Sequence, residues 1–352
     1  MRATPATSLA ALLLAAACGG SSTPPVEPDA EASTIGEDAT VVAFDATHVY
    51  FGAENRRTVD VPVSFPPAGL RYEQVTLSFA LGCPTGGCDW WDRLGHLSIV
   101  TSGADTPAPE DDVELEVARF ITPYRVAGAY ELDVTALQSV LAGDVTMRVF
   151  IDTWVGPGHA NGAGWLVDAS FDFVGGAPTA DPFRVVPLWG PGSVVYGDPA
   201  RPTAREVTVD VPEGVVAAEL FALVTGHGQG NAGNCAEFCS KQHTFDVGGS
   251  EVTTTVWRDD CSTTATPGQQ GTWMYPRAGW CPGAMVTPWT SPVDAPAAGA
   301  LTVTYDVEGY ENTCRPDATE CAGCTLGTGC DYDGGSHTEP RFEHSALLVL
   351  YR

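Results

Sequence analysis

Lysine occurs once in this chain, at Lys241, and all basic residues together number 17 against 44 acidic ones, a formal net charge of -27 over 352 residues. A phosphate backbone is held by clustered Lys and Arg, so the missing basic surface excludes nucleic acid as a partner. The acidic excess otherwise speaks for solubility and says little about fold. Helical periodicity is missing too: past the amino terminus, no apolar pattern of helical period runs for more than a few turns. The seven histidines (48, 96, 159, 227, 243, 337 and 344) form no His-x-His or His-x-x-x-His pair, spacings that bring two imidazoles to one metal. No metal and no cofactor is expected.

The amino terminus carries a short basic start at Arg2, an apolar stretch from Leu9 to Ala17 and small residues before Cys18. This is the pattern of an export signal, too short to span a bilayer. Leu14-Ala15-Ala16-Ala17-Cys18 resembles a bacterial lipobox, with Ala15 where a larger aliphatic residue is usual. An anchor through a lipidated Cys18, at the bacterial outer membrane or cell surface, is expected to be the only link to a membrane. Ordinary cleavage to a secreted or periplasmic protein is the alternative. Residues 19–39, rich in Ser, Thr, Pro, Glu and Asp, are expected to form a disordered tether.

Setting Cys18 aside leaves ten of the eleven cysteines: Cys83, Cys88, Cys235, Cys239, Cys261, Cys281, Cys314, Cys321, Cys324 and Cys330. An even number in an exported chain suits disulfides. Local pairing suggests 83 with 88, 235 with 239 and 261 with 281, leaving four for the last segment. Those four could instead bind zinc, although an oxidising compartment favours two disulfides. Asp331 and Asp333 beside them are too few for a calcium site.

Period-two alternation runs through Val59–Phe65, Val167–Phe173, Val207–Val211 and Leu301–Val307, punctuated by 39 Gly and 27 Pro. That pattern predicts antiparallel sandwiches with one face of each strand buried. Asp133–Leu141 is expected to be a short helix ending near Gly143. The break at Gly175-Gly176-Ala177-Pro178 predicts two all-β domains, 40–176 and 180–352, the second with a Cys-rich insertion at 308–340.

Three stretches carry chemistry that a core does not need. Cys83 to Arg93 sets two carboxylates, two indoles and a guanidinium behind a short cysteine pair. Cys235-Ala236-Glu237-Phe238-Cys239 holds a glutamate inside a smaller ring, after a glycine-rich Gly226–Gly230 that could let backbone approach a ligand. Arg277-Ala278-Gly279-Trp280-Cys281 puts a cation and an indole before a third pair. For Cys83 to Arg93, a decorated surface turn is the competing reading.

In order along the chain, Cys83–Arg93, Arg119-Phe120-Ile121-Thr122-Pro123-Tyr124 with Asp152-Thr153-Trp154, Cys235–Cys239 with His243-Thr244, and Arg277–Gly283 resemble the peptide-N-glycosidase F family of bacterial amidases. The resemblance leaves out residues 1–40 and roughly 308–340. It implies two side-by-side eight-stranded jelly-roll sandwiches with the active site between them. By position, the catalytic aspartate falls on Asp92 and the second-domain glutamate on Glu237. A third family carboxylate, a glutamate two residues before a tryptophan, falls on Asp152, one methylene shorter. Trp91, Trp154 and Trp280, with Arg93 and Arg277, fall on substrate-binding positions. His227 and Gln229 stand where the family has tryptophan and histidine, and Phe238 replaces a tryptophan in the small ring.

The implied reaction is hydrolysis of the N-acetylglucosaminyl-asparagine amide of a glycoprotein or glycopeptide by a monomer. An unreactive amide needs a base, a proton for the leaving nitrogen and oxyanion stabilisation. Crowded carboxylates supply the first two, because one keeps a proton while its neighbour stays basic. Indole faces suit sugar rings. The alternatives are a noncatalytic glycan-binding lipoprotein and, more remotely, a copper monooxygenase on paired jelly rolls, which the histidine and methionine pattern suits poorly.

Overall fold

Each alternating run becomes a strand whose apolar residues face one way. The computed structural model describes residues 34–101, 113–315 and 338–352. In the first half lie β1 (Thr34–Ile35), β2 (Ala39–Phe51), β3 (Asn55–Arg56), β4 (Thr58–Ser64), β5 (Leu70–Gly82), β6 (Leu94–Thr101), β7 (Val113–Ile121), β8 (Gly128–Asp133), β9 (Asp144–Ile151) and β10 (Trp165–Gly175). Strands β8, β5, β10 and β2 pair antiparallel in one sheet, and β7, β6, β9 and β4 in the facing one. Strand β1 pairs parallel with Leu70–Arg71 of β5.

The second half contributes β11 (Pro182–Val195), β12 (Arg205–Val211), β13 (Ala217–His227), β14 (Lys241–Val247), β15 (Ser250–Val256), β16 (Ala284–Met285), β17 (Trp289–Val293), β18 (Gly299–Val307) and β19 (Arg341–Tyr351). Its sheets run β11-β19-β13-β17 and β12-β18-β14-β15. With the two-residue strands β1, β3 and β16 set aside, each half is a four-on-four sandwich of eight strands.

Two strands are apolar on both faces. Leu220, Ala222, Leu348 and Leu350 of β13 and β19 fill the second core, while Phe221, Leu223, Leu347 and Val349 between them join the core of the first sandwich. Burying side chains of this size stabilises by about 1.5–3 kcal/mol each, so the halves are welded rather than hinged. Contacts accordingly hold Thr34–Arg352 as one unit, and β16 adds itself to the edge of β7.

The expected helix at Asp133–Leu141 is not formed. A single 3-10 turn, Thr135–Leu137, stands there, anchored by Asp133, whose carboxylate accepts from Thr135 N and Oγ1 at 2.9 and 2.6 Å. Val134, Thr135 and Val140 are β-branched, and two turns are too short to repay nucleation. Gln138 is drawn off to accept from the Tyr72 amide at 3.0 Å. The lipobox with Cys18, most of the tether, and Cys321, Cys324, Cys330, Asp331 and Asp333 lie outside the described residues.

Candidate active site

The first wall of the site is the turn between β5 and β6. Cys83 and Cys88 are disulfide-bonded, and the ring turns through Gly86 and Gly87 at φ +109° and +89°, conformations open to glycine. Next comes Asp89, fully buried. Its carboxylate accepts from Arg93 Nε at 2.8 Å, Thr153 Oγ1 at 2.7 Å and the Trp91 amide at 3.1 Å. Thr122 Oγ1 clasps the same turn, accepting from Arg93 N at 2.8 Å and donating to the Trp91 carbonyl at 3.1 Å. Asp89 is thus the hub that holds Trp91, Asp92 and Arg93 in place. Burial raises the Asp92 carboxyl, against the pull of Arg277, the Tyr124 hydroxyl and Arg93.

The second wall is built on the Cys235–Cys239 disulfide. Gly226 and Gly228 make room for protein backbone. A Cβ on Gly226 would lie 2.5 Å from the Ala236 carbonyl oxygen, and one on Gly228 (φ +104°) 2.5 Å from that of Glu339. The tight approach fixes Glu237, whose Oε2 accepts from Gly228 N at 3.2 Å and whose Oε1 faces Arg277 Nε at 3.4 Å. Its carboxyl is pushed up to about 7, by burial first and then by the charge of Asp92, against Arg277 and the Gly228 amide.

Arg277 is buried to 1% exposure. Its remaining N–H groups donate to the carbonyls of Thr272 and Tyr275 and to Thr272 Oγ1, all at 3.0 Å. The guanidinium lies over Trp280 at 4.8 Å and Phe238 at 5.3 Å. The Cys261–Cys281 disulfide secures this segment. Trp280 is 3% exposed and donates to the Gly226 carbonyl at 2.7 Å; His227 stacks on its ring at 5.1 Å. Covered by His227 and Arg277, its ring has little open face of its own. Burial, followed by Arg341, Arg119 and Arg277, holds His227 well below the usual imidazole range.

Between the walls lies a cleft of about 960 Å³ that brings together Trp91, Asp92, Arg93, His227, Glu237, Arg277 and Trp280. Trp91 is half exposed there. Asp152 and Trp154 do not line it. Asp152 is paired with Arg57 at 3.1 Å, and Arg57 lies over the Trp154 ring at 4.4 Å and Phe51 at 5.1 Å. Burial raises the Asp152 carboxyl while Arg57, Arg93 and Arg341 lower it, in that order. Among the described residues, the one cluster of metal-ligand atoms is Asp260, Cys261 and Cys281, whose sulfurs are already joined in a disulfide.

Sequence reasoning gave no role to Tyr124, Arg57 or Arg341. Tyr124 ends the Arg119–Tyr124 block of the resemblance, so its position was already a signal. Burial and Asp92 together raise its hydroxyl. Arg57 and Arg341 lie in stretches without a motif.

Comparisons with known proteins agree with this geometry. A family model described as peptide-N-glycosidase F, C terminal, matches residues 195–323. Peptide-N(4)-(N-acetyl-β-D-glucosaminyl)asparagine amidase F of Elizabethkingia miricola is 27% identical over 304 residues, covering 79% of this chain and 82% of its own. The solved structure of PNGase F, a glycosylasparaginase from Flavobacterium meningosepticum, superposes with a TM-score of 0.72 at 22% identity, covering 90% of this chain and 96% of that one. PNGF-II superposes at 0.67 and 15% identity, over 89% of this chain and 65% of its own. The resemblance read from four sequence blocks thus extends to the whole fold.

Proposed function

We propose that this cleft hydrolyses the amide joining N-acetylglucosamine to an asparagine side chain in N-linked glycoproteins or glycopeptides, releasing the glycan and leaving aspartate. One observation carries the reading: Asp92 and Glu237 face one cleft, with Glu237 pushed up to about 7 by burial and in part by Asp92. At neutral pH such a pair holds one proton between two carboxylates, the state that amide hydrolysis needs. Asp92 takes a proton from the attacking water. Glu237, directed by Arg277 and the Gly228 amide, returns one to the leaving nitrogen. Trp91 offers an open indole face to the sugar.

A second reading is glycan binding without hydrolysis. It is favoured by Asp152, which pairs with Arg57 at the rim and does not line the cleft, so that two carboxylates line it where the resemblance implies three. Incubating the protein without residues 1–18 with a denatured N-glycoprotein separates the two. Aspartate at the formerly glycosylated asparagine, found by mass spectrometry, supports the amidase; intact glycopeptide that nonetheless binds supports the lectin.

A further inference from the structure

The cleft is wired to a buried ion pair in the seam between the sandwiches. Glu116 and Arg119 of β7 are each 1% exposed and form a two-point pair, Nε to Oε1 at 2.8 Å and Nη2 to Oε2 at 2.7 Å. Burial alone would raise Glu116, but Arg119, by charge and hydrogen bond, brings its carboxyl below the ordinary range. Ser345 Oγ donates to the same carboxylate at 2.5 Å. Arg119 Nη1 is left to cross the seam, donating to the Glu343 carbonyl at 2.6 Å and to Thr225 Oγ1 at 3.1 Å. Thr225 Oγ1 then stands 2.8 Å from His227 Nε2.

Proton counting fixes the direction of this chain. A guanidinium only donates, so Thr225 Oγ1 accepts from Arg119. The hydroxyl has one proton of its own, and Thr225 is fully buried. Were His227 Nε2 to carry a hydrogen and donate to Thr225, that hydroxyl proton would find no acceptor among the described residues, which a buried hydroxyl avoids. Thr225 therefore donates to Nε2, and the imidazole hydrogen sits on Nδ1. Among the described residues that nitrogen has no hydrogen-bond partner, and it belongs to a ring lining the cleft. Stacking on Trp280 fixes the ring plane.

We propose that Thr225, oriented by Arg119, is a positioning residue that locks His227 as a neutral Nδ1–H donor aimed into the cleft, where it binds a carbonyl oxygen of the glycosylated amide. The role for substrate rests on the amidase reading above; the lock itself does not. A neutral donor recognises a carbonyl without adding a charge beside the carboxylate pair.

Nitrogen-15 NMR of the imidazoles in the intact protein reads the lock directly. The expected result is a protonated Nδ1 and an unprotonated Nε2 for His227 at neutral pH. Thr225→Val is expected to lose this single-tautomer signature and to lower kcat/KM on a glycopeptide roughly tenfold, the scale of one lost hydrogen bond. Thr225→Ser, which keeps the hydroxyl, restores the signature. A hydrogen on Nε2 in the wild type, or an unchanged Nδ1–H signature in Thr225→Val, overturns the proposal; if Thr225→Val does not fold, the wild-type and Ser spectra still decide. Absence of hydrolysis with the signature intact would count against the amidase reading alone.

Discussion

Each wall of the cleft has a short disulfide, a carboxylate and an arginine, yet the arginines are used in opposite ways. Arg93 is tied at 2.8 Å to Asp89, a fully buried carboxylate, while Arg277 faces the cleft carboxylate Glu237 itself at 3.4 Å. The first wall thus leaves Asp92 with a raised carboxyl and no close ion pair. The second wall places a cation on Glu237 and still leaves it near 7, because burial and Asp92 outweigh Arg277. In the hydrolysis proposed here, similar parts give a base on one side and a proton store on the other, and what separates them is the partner each arginine is given.

The steepest break in that contrast is Asp92→Asn, expected to cut kcat by about a thousandfold or more by removing the base. Asp89→Asn should also lower activity, but with a lower thermal midpoint, because Asp89 holds the turn. Steady-state kinetics and melting curves on the two variants check the division of labour.

Acid should separate the halves next. His243 and His344 lie in the second core, with His243 Nε2 and both His344 nitrogens buried without hydrogen-bond partners. Burial brings both to about 3, helped by His344 on the first and by Arg205 and Arg119 on the second. An imidazole that titrates near 6.5 when unfolded and near 3 when folded leaves stability complete above about 6.5 and drains it as pH falls toward 3. At pH 5 that is on the order of 2 kcal/mol for each. Glu237 opposes this trend, so the effect is read by difference: His344→Phe should lower the stability gap between pH 8 and pH 5 in denaturant melts by on the order of 2 kcal/mol relative to wild type, and an unchanged gap contradicts it.

Glu237→Gln should have two effects of opposite sign. Activity falls about a hundredfold, and the decline of rate above about pH 7, where the wild-type pair loses its shared proton, disappears. Stability rises, because a carboxyl at about 7 folded and 4.5 unfolded costs stability as pH climbs through that window. The gain at pH 8 is on the order of 3 kcal/mol. Asp152→Asn, on the rim with Arg57, is expected to cost less than about tenfold in kcat/KM. A loss as large as that of Asp92→Asn would return Asp152 to the chemistry.

Much of this was legible in the chain. Alternation marked β4, β10, β12 and β18 because each shows one face to a core. Cysteine rings marked the stretches holding Asp89, Asp92 and Glu237, because short disulfides keep their effects within a few residues, while the choice of Asp92 over Asp89 came from the family resemblance. The failures involve contacts between distant strands. Arg57 meets Asp152 across 95 residues and Arg119 meets Thr225 across 106, and neither pairing leaves a local pattern. Burial of β13 and β19 on both faces was likewise hidden, because a continuous apolar run does not say what covers its second side.

The central claim is that Asp92 drives water onto the asparagine amide. Digesting a denatured N-glycoprotein in heavy-oxygen water with wild type and with Asp92→Asn tests it directly. The account predicts aspartate carrying one heavy oxygen at each released site with wild type, and unchanged glycosylated asparagine with the variant. Intact glycosylated asparagine with both proteins, or equal labelling with both, would contradict it.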